Sequence, residues 1–136
     1  MESMGINYWA VLVAGVAYMV LGAIWYTPAL FGNAWLKAIG KTKEQVAAGF
    51  SPLNYLWALI TSLVAAYGIA RVLIWRGTHS LEGGIIVGLL AGVCFVMTSM
   101  GVNDIFENRS KGLTIMNVLY HLVGFVIIGI IIGVWR

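Results

Sequence analysis

Apolar positions dominate this chain in four long stretches that contain no Asp, Glu, Lys or Arg: residues 3–36, 45–70, 83–103 and 112–135. The hydrocarbon core of a membrane is about 30 Å thick, and roughly 20 apolar helical residues cross it. Each stretch is at least that long. The pattern therefore predicts four transmembrane helices, with spans at about 6–25, 53–74, 81–102 and 113–135.

The composition is typical of a membrane-embedded chain. Hydrophobic residues make up 61% of the sequence and charged residues 10%, whereas an average soluble domain has roughly 25% charged residues. The spans take up most of the 136 residues, which leaves no room for a separate soluble module. We therefore expect residues 1–136 to form a single transmembrane domain of the all-α class, an integral membrane four-helix bundle.

The connection between the first two spans has helical features of its own. Thr27 before Pro28 is typical of a helix N-cap followed by proline at the first helical position, and apolar residues recur at helical spacing after them. This predicts a short amphipathic helix at about 28–39, lying at the membrane interface. The segment from Thr42 to Gln45 then predicts a capping box for a second short helical turn.

The basic residues predict an orientation. Four spans place both termini on one side of the membrane, and Lys and Arg are enriched in cytoplasmic loops. Five lie in the first and third loops and three on the opposite face: Lys37, Lys41, Lys43, Arg109 and Lys111 against Arg71, Arg76 and Arg136. We expect a multi-pass protein of the inner or plasma membrane of the cell, with loops one and three in the cytoplasm. Because the basic residues occur mostly singly at the ends of apolar runs, no nucleic-acid partner is expected.

Small residues at four-residue spacing predict how the helices pack. Lipid tails are as apolar as leucine, so membrane helices associate through close backbone approach and polar contacts. Such series occur on the second, third and fourth spans: Ala58, Ser62 and Ala66; Gly84, Gly88 and Gly92; Gly129 and Gly133. Two roles are open for these faces: packing between helices within one bundle, or contact between copies of the chain. Membrane lipid and further copies of the chain, in a homo-oligomer, are the expected partners.

Polar residues converge on the membrane face that carries loops one and three, where residues 103–112 are expected to form the third loop. Polar groups inside a bilayer are costly, so a histidine in the fourth span should point into the bundle, where it could meet a carboxylate. The candidate ligand- or ion-binding residues on this face are Tyr26, Asn103, Asp104, Glu107, Asn117 and His121. Three interpretations stay open: a hydrogen-bonded structural plug, a shallow binding or conduction site that titrates near neutral pH, and a metal or catalytic site.

No spacing in the chain matches a recognised metal-ligand, hydrolase or phosphate-loop motif, so we assign no metal, cofactor or catalytic residue. The expected function is the non-enzymatic binding or passage of a small solute, ion or lipid at the polar residues. A structural or assembly protein that packs through its glycine faces is the first alternative. A small membrane enzyme acting on lipophilic substrates is the second.

Specific blocks of the sequence resemble one known family. They are Gly22-Ala23-Ile24-Trp25-Tyr26-Thr27-Pro28, Phe106-Glu107-Asn108-Arg109-Ser110, and Asn117 with Tyr120-His121. With these blocks the chain resembles, from Asn7 to Arg136, the small bacterial membrane proteins grouped as domain of unknown function family 1761. The resemblance implies a four-helix integral membrane protein and no particular activity. Where that family often has W-Y-S-P and F-E-G-R, this chain has Thr27 and Asn108.

Overall fold

The computed structural model describes residues 5–135, so Arg136, which entered the charge comparison, lies outside the described residues. Within that range the chain forms six helices and no strand: α1 Tyr8–Trp25, α2 Gly32–Ile39, α3 Lys43–Ala48, α4 Pro52–Arg76, α5 Leu81–Phe106 and α6 Lys111–Val134. Helix α5 includes a π-helical stretch, Ala91–Met97, which no sequence pattern predicted.

Four of these helices, α1, α4, α5 and α6, are long and apolar enough to cross a membrane. The shortest, α1, has 18 residues, which at 1.5 Å per residue corresponds to about 27 Å. The other three have 24 to 26 residues. The predicted all-α four-helix membrane bundle is therefore confirmed, with span ends that lie within a few residues of those predicted.

Helix α6 contacts the other three spanning helices, and its most extensive contact is with α5. Glycine makes that contact close, since a Cβ at Gly84 would collide with the carbonyl oxygen of Gly129. The same holds in the opposite direction. At several glycines of these two helices, a Cβ would lie closer to a neighbouring atom than real Cβ atoms approach. They include Gly84, Gly88, Gly92, Gly129 and Gly133. The glycine faces of α5 and α6 thus pack against each other within one chain.

The small-residue series of α4 divides between two environments. Ser62 and Ala66 are buried, as expected for a packing face. Ala58, one turn earlier, is exposed and lines a cavity described below. The series therefore contributes to helix packing only in its later part.

Buried apolar side chains concentrate in the half of the bundle that holds the start of α1, the end of α6 and the turn at 77–80. They come mainly from the first half of α1, the second half of α4, the start of α5 and the end of α6: Ala10, Val11, Ala14, Tyr18, Ala66, Ile69, Ala70, Leu73, Val87, Ile128 and Ile132. On the same side the Asn7 amide donates to the carbonyl of Trp135 at 3.4 Å, which ties the start of α1 to the end of α6.

The first surface helix begins later than predicted, at Gly32 rather than near Pro28. The Thr27 hydroxyl donates back to the carbonyl of Ile24 at 2.7 Å, so Thr27 closes α1 instead of capping α2. The chain then turns tightly, because Gly32 lies where a Cβ would come 2.5 Å from the carbonyl oxygen of Tyr26. Only a glycine allows this approach.

The second surface helix agrees with the prediction. At the start of α3 the Gln45 N–H donates to the Thr42 hydroxyl at 3.2 Å, and the Thr42 N–H donates to the Gln45 side chain at 2.9 Å. The predicted capping box is therefore confirmed. Because these bonds lie within α3, its helical turn is stabilised locally rather than by burial, and none of its residues is buried.

The connection between α5 and α6 is shorter than predicted. Helix α5 continues to Phe106, so Asn103 and Asp104 are helical, and only residues 107–110 lie outside the helices. The prediction of a loop at 103–112 was wrong at both ends. The physical reason is that Asp104 finds a hydrogen-bond partner on α6, and Asn108 adopts the positive φ of 53° that reverses the chain.

Candidate functional site

Two hydrogen bonds between side chains join the second half of α1 and the residue that follows it to the first half of α6. The Tyr26 hydroxyl donates to Oδ1 of Asn117 at 2.7 Å, and the Tyr18 hydroxyl bonds Nδ1 of His121. Asn117 and His121 are four residues apart, hence on one face of α6. Polar side chains in a membrane interior need such partners, and His121, for which an inward orientation was expected, lies against α1.

A third tyrosine fills the space between these two bonds. Tyr120 stacks on Tyr18, with ring centroids 5.2 Å apart, and its hydroxyl donates to the carbonyl of Tyr18 at 3.2 Å. Gly22 provides room for this ring, because a Cβ there would lie 2.7 Å from the Tyr120 hydroxyl. Trp25 is buried beside it and donates to the carbonyl of Met116 at 3.2 Å. The result is an aromatic layer between α1 and α6.

A cavity of about 450 Å³ adjoins this layer. It lies between α1, α4 and α6, and residues of α2, of α3 and of the α3–α4 connection cover it. We call it the aromatic cavity. Its lining residues are Tyr18, Met19, Gly22, Ala23, Tyr26, Trp35, Val46, Phe50, Asn54, Tyr55, Ala58, Thr61, Ser62, Tyr120 and His121. Pockets for small molecules typically measure about 300–1,000 Å³ and are mostly apolar, so size and lining both suit a ligand.

A second cavity, of about 370 Å³, which we call the outer cavity, adjoins the first. The two share five lining residues: Tyr26, Trp35, Val46, Phe50 and Tyr55. The outer cavity also reaches Lys43, at the start of α3. Residues of α2 and α3 therefore form walls of both cavities.

Most polar side chains in the aromatic cavity already have partners in the protein. The Thr61 hydroxyl donates to the carbonyl of Trp57 at 3.0 Å, and the Ser62 hydroxyl donates to that of Ala58 at 2.7 Å. The hydroxyls of Tyr18, Tyr26 and Tyr120 are bonded as described above. Within residues 5–135, Nε2 of His121 has no hydrogen-bond partner, which leaves it available to a ligand.

The remaining candidate residues form a separate group at the end of α5. The Thr114 hydroxyl donates to Oδ2 of buried Asp104 at 2.5 Å. Arg109 Nε lies 2.7 Å from Oε2 of Glu107 and 3.6 Å from Oδ1 of Asp104. The hydrogen bond to Glu107 raises the pKa of the Arg109 guanidinium above its ordinary value, and the charge of Asp104 adds to this effect. Asn103 is exposed.

The candidate residues that were predicted to form one polar cluster therefore lie in two separate groups. In the part of the chain that the structure describes, no hydrogen bond or ion pair joins Asp104 or Glu107 to His121. Histidine meets a tyrosine of α1 instead of a carboxylate, because α6 turns that face toward α1 and not toward the end of α5. Nor do three side chains of the types His, Cys, Asp and Glu come close enough to share a metal ion anywhere between residues 5 and 135.

Of the candidate residues predicted from the sequence, Tyr26 and His121 line the aromatic cavity, whereas most of its aromatic walls were not predicted. Trp35 lies in the surface helix, Phe50 in a connection, and Tyr55 at a span end, where an aromatic residue is expected as an interfacial anchor. Only the fold brings these positions beside Tyr18 and Tyr120. The one usable signal is Tyr18 itself, because its hydroxyl lies in the middle of an apolar span and needs a partner.

Four apolar spanning helices, three of which line the aromatic cavity, define a multi-pass helical membrane protein. The profile of the family described as "Protein of unknown function (DUF1761)" matches residues 9–133. The chain belongs to this family, which confirms the resemblance noted in the sequence. Searches among curated proteins and among solved structures gave no match.

Proposed function

We propose that the protein binds a small lipophilic molecule in the aromatic cavity and that this binding is non-enzymatic. The single observation that carries the proposal is the cavity of about 450 Å³, with aromatic walls and one histidine nitrogen without a protein partner. Aromatic side chains supply large apolar contact area at low conformational cost, which suits a ligand drawn from the lipid phase.

Binding is better supported than passage. A conduction path would have to continue from the aromatic cavity through the other half of the bundle. That half is filled by small and branched side chains, among them Ala14, Ala66, Leu73 and Ile128, which have no exposed surface. Opening a path there would disrupt the most closely packed part of the protein.

The test is equilibrium dialysis of 2,3-dimethylnaphthalene against the protein in nanodiscs, with empty nanodiscs as the reference for partition into lipid. We expect saturable binding of one molecule per chain above that reference. Ala58→Trp adds an indole to the cavity wall and should weaken binding at least tenfold. Leu56→Trp, on the same helix and outside both cavities, is the matched control and should leave binding unchanged. If the protein binds no more than empty nanodiscs, or if the two variants behave alike, the proposal is wrong.

We further propose that the protein lies in the cell membrane with loops one and three in the cytoplasm, from the distribution of Lys and Arg. A homo-oligomer remains a prediction. The glycine faces of α5 and α6 are occupied by each other, so copies of the chain would have to meet through other surfaces. Mass measurement of the detergent-solubilised protein tests this, and a monomeric mass would contradict it.

A further inference from the structure

The hydrogen on the His121 ring can be assigned from its neighbour. The Tyr18 side chain is buried, and its hydroxyl is hydrogen-bonded to Nδ1 of His121. A buried phenol that fails to donate its proton loses a hydrogen bond without compensation from water. Tyr18 therefore donates and Nδ1 accepts, which places the proton of the neutral ring on Nε2.

His121 is thus a hydrogen-bond donor at the wall of the aromatic cavity. The other hydroxyls deep in the cavity are already bonded within the protein, as described above. Asn54 and Tyr55 lie at its exposed side. A ligand that places an acceptor oxygen at Nε2 of His121 would therefore satisfy a donor on α6 that has no partner within residues 5–135.

The cavity walls define the rest of the ligand. Six aromatic rings besides His121 line the cavity: Tyr18, Tyr26, Trp35, Phe50, Tyr55 and Tyr120. Such rings favour offset stacking or edge contacts with a planar ring system. None of the 15 lining residues is Asp or Glu. A cationic ligand would lose its hydration without gaining a countercharge, so an uncharged ring is favoured.

From these observations we infer that the cavity selects a planar, uncharged carbonyl compound of the quinone or aryl-ketone class, held by a hydrogen bond from Nε2–H of His121 to the carbonyl oxygen. This inference rests on the proposed binding function and adds the class of ligand. Tyr18 acts as a positioning residue, because it fixes which nitrogen of the imidazole carries the hydrogen.

The experiment compares two ligands that differ only in the carbonyl groups. 2,3-Dimethyl-1,4-naphthoquinone and 2,3-dimethylnaphthalene are dialysed against the protein in nanodiscs, and each affinity is corrected for partition into empty nanodiscs. Both ring positions next to the carbonyls are methylated, so the quinone does not add to the thiol of Cys94. We expect the quinone to bind about fivefold more tightly, which is the net contribution of one hydrogen bond.

Substitutions at His121 and Tyr18 test whether the hydrogen bond from His121 causes the tighter binding of the quinone. His121→Phe should reduce the ratio of the two affinities to about one, and His121→Gln, whose amide N–H can take the place of Nε2–H, should retain part of it. Tyr18→Phe should lower the ratio as well, because the imidazole is then no longer held in one tautomer. His79→Phe, at the opposite end of the bundle, is the control and should leave the ratio unchanged.

The outcomes separate this inference from the proposal beneath it. If both ligands bind wild type equally, or if the His121 variants keep the full ratio, the inference is wrong and the binding function stands. If neither ligand binds above empty nanodiscs, both are wrong. Should His121→Phe fail to fold by circular dichroism, the ratios for His121→Gln and Tyr18→Phe decide the question.

Discussion

Replacing Gly88 with alanine tests whether the α5–α6 contact depends on the absence of a side chain. A Cβ at Gly88 would lie 2.5 Å from the carbonyl oxygen of Phe125 and 2.8 Å from Cα of Val126. Real Cβ atoms essentially never approach closer than 3.0 Å, so the helices must separate locally by about 0.5 Å. The colliding atoms belong to the backbone, which cannot rotate away.

The cost follows from the separation. A gap of about 0.5–1 Å forfeits a quarter to a half of the dispersion attraction of the atoms that part, and overpacking of this kind costs about 1–3 kcal/mol in well-packed interiors. Because membrane helices gain little from the hydrophobic effect, this loss of contact is not offset by apolar burial. We therefore expect Gly88→Ala to destabilise the bundle by about 1–3 kcal/mol.

The measurement is the free energy of unfolding in mixed micelles, followed by circular dichroism during titration with a denaturing detergent. Gly101→Ala is the matched control, because Gly101 lies on the same helix and a Cβ there would meet nothing within 4 Å. That variant should be neutral or more stable by up to about 1 kcal/mol, from the higher helix propensity of alanine. If Gly88→Ala proves as stable as Gly101→Ala, the close packing deduced for α5 and α6 is wrong.

Two further predictions concern the hydrogen bonds of the polar groups. Tyr26→Phe removes the donor to Asn117 at 2.7 Å and should destabilise the bundle by about 1 kcal/mol, measured by the same detergent titration. Asp104→Ala removes the acceptor of Thr114 from a buried position and should cost about 1–3 kcal/mol in the same assay.

Each of these predictions has a control on an exposed residue of the same type. Tyr55→Phe alters a hydroxyl that has no hydrogen-bond partner within residues 5–135, and it should leave the unfolding free energy unchanged. Glu107→Ala breaks an exposed ion pair with Arg109 and should also leave it unchanged. A loss of stability as large in the controls as in Tyr26→Phe and Asp104→Ala would refute the contributions assigned to those two bonds.

Local features of the fold were predictable where local chemistry decides them. The capping box of Thr42 and Gln45 involves bonds that span three residues, and it was identified from their spacing. The start of α2 could not be predicted from residue spacing, because Thr27 can cap a following helix or close a preceding one. The choice depends on the close approach of Gly32 to the Tyr26 carbonyl, which no local pattern reveals.

The candidate site was only half predictable. That Asn117 and His121 share a face follows from helical periodicity. Periodicity does not predict the partners of these two residues. The rotation of α6 about its axis determines whether that face meets the tyrosines of α1 or the carboxylates near the end of α5. The same rotation places the glycines of α6 against α5, where Gly84 and Gly129 are in close contact.

By itself the sequence determined that this protein has four helices able to cross a membrane. The reason is that a spanning helix needs only about 20 consecutive apolar residues, and the order of residues along the chain shows this directly. It also identified the glycine faces and the two polar residues of α6. The tertiary structure alone decided that the carboxylates form a group of their own, that His121 bonds a tyrosine, and that aromatic residues from distant parts of the chain line one cavity. These depend on how helices rotate and how closely they approach, which is fixed by contacts between residues as far apart as Tyr18 and His121 in the chain.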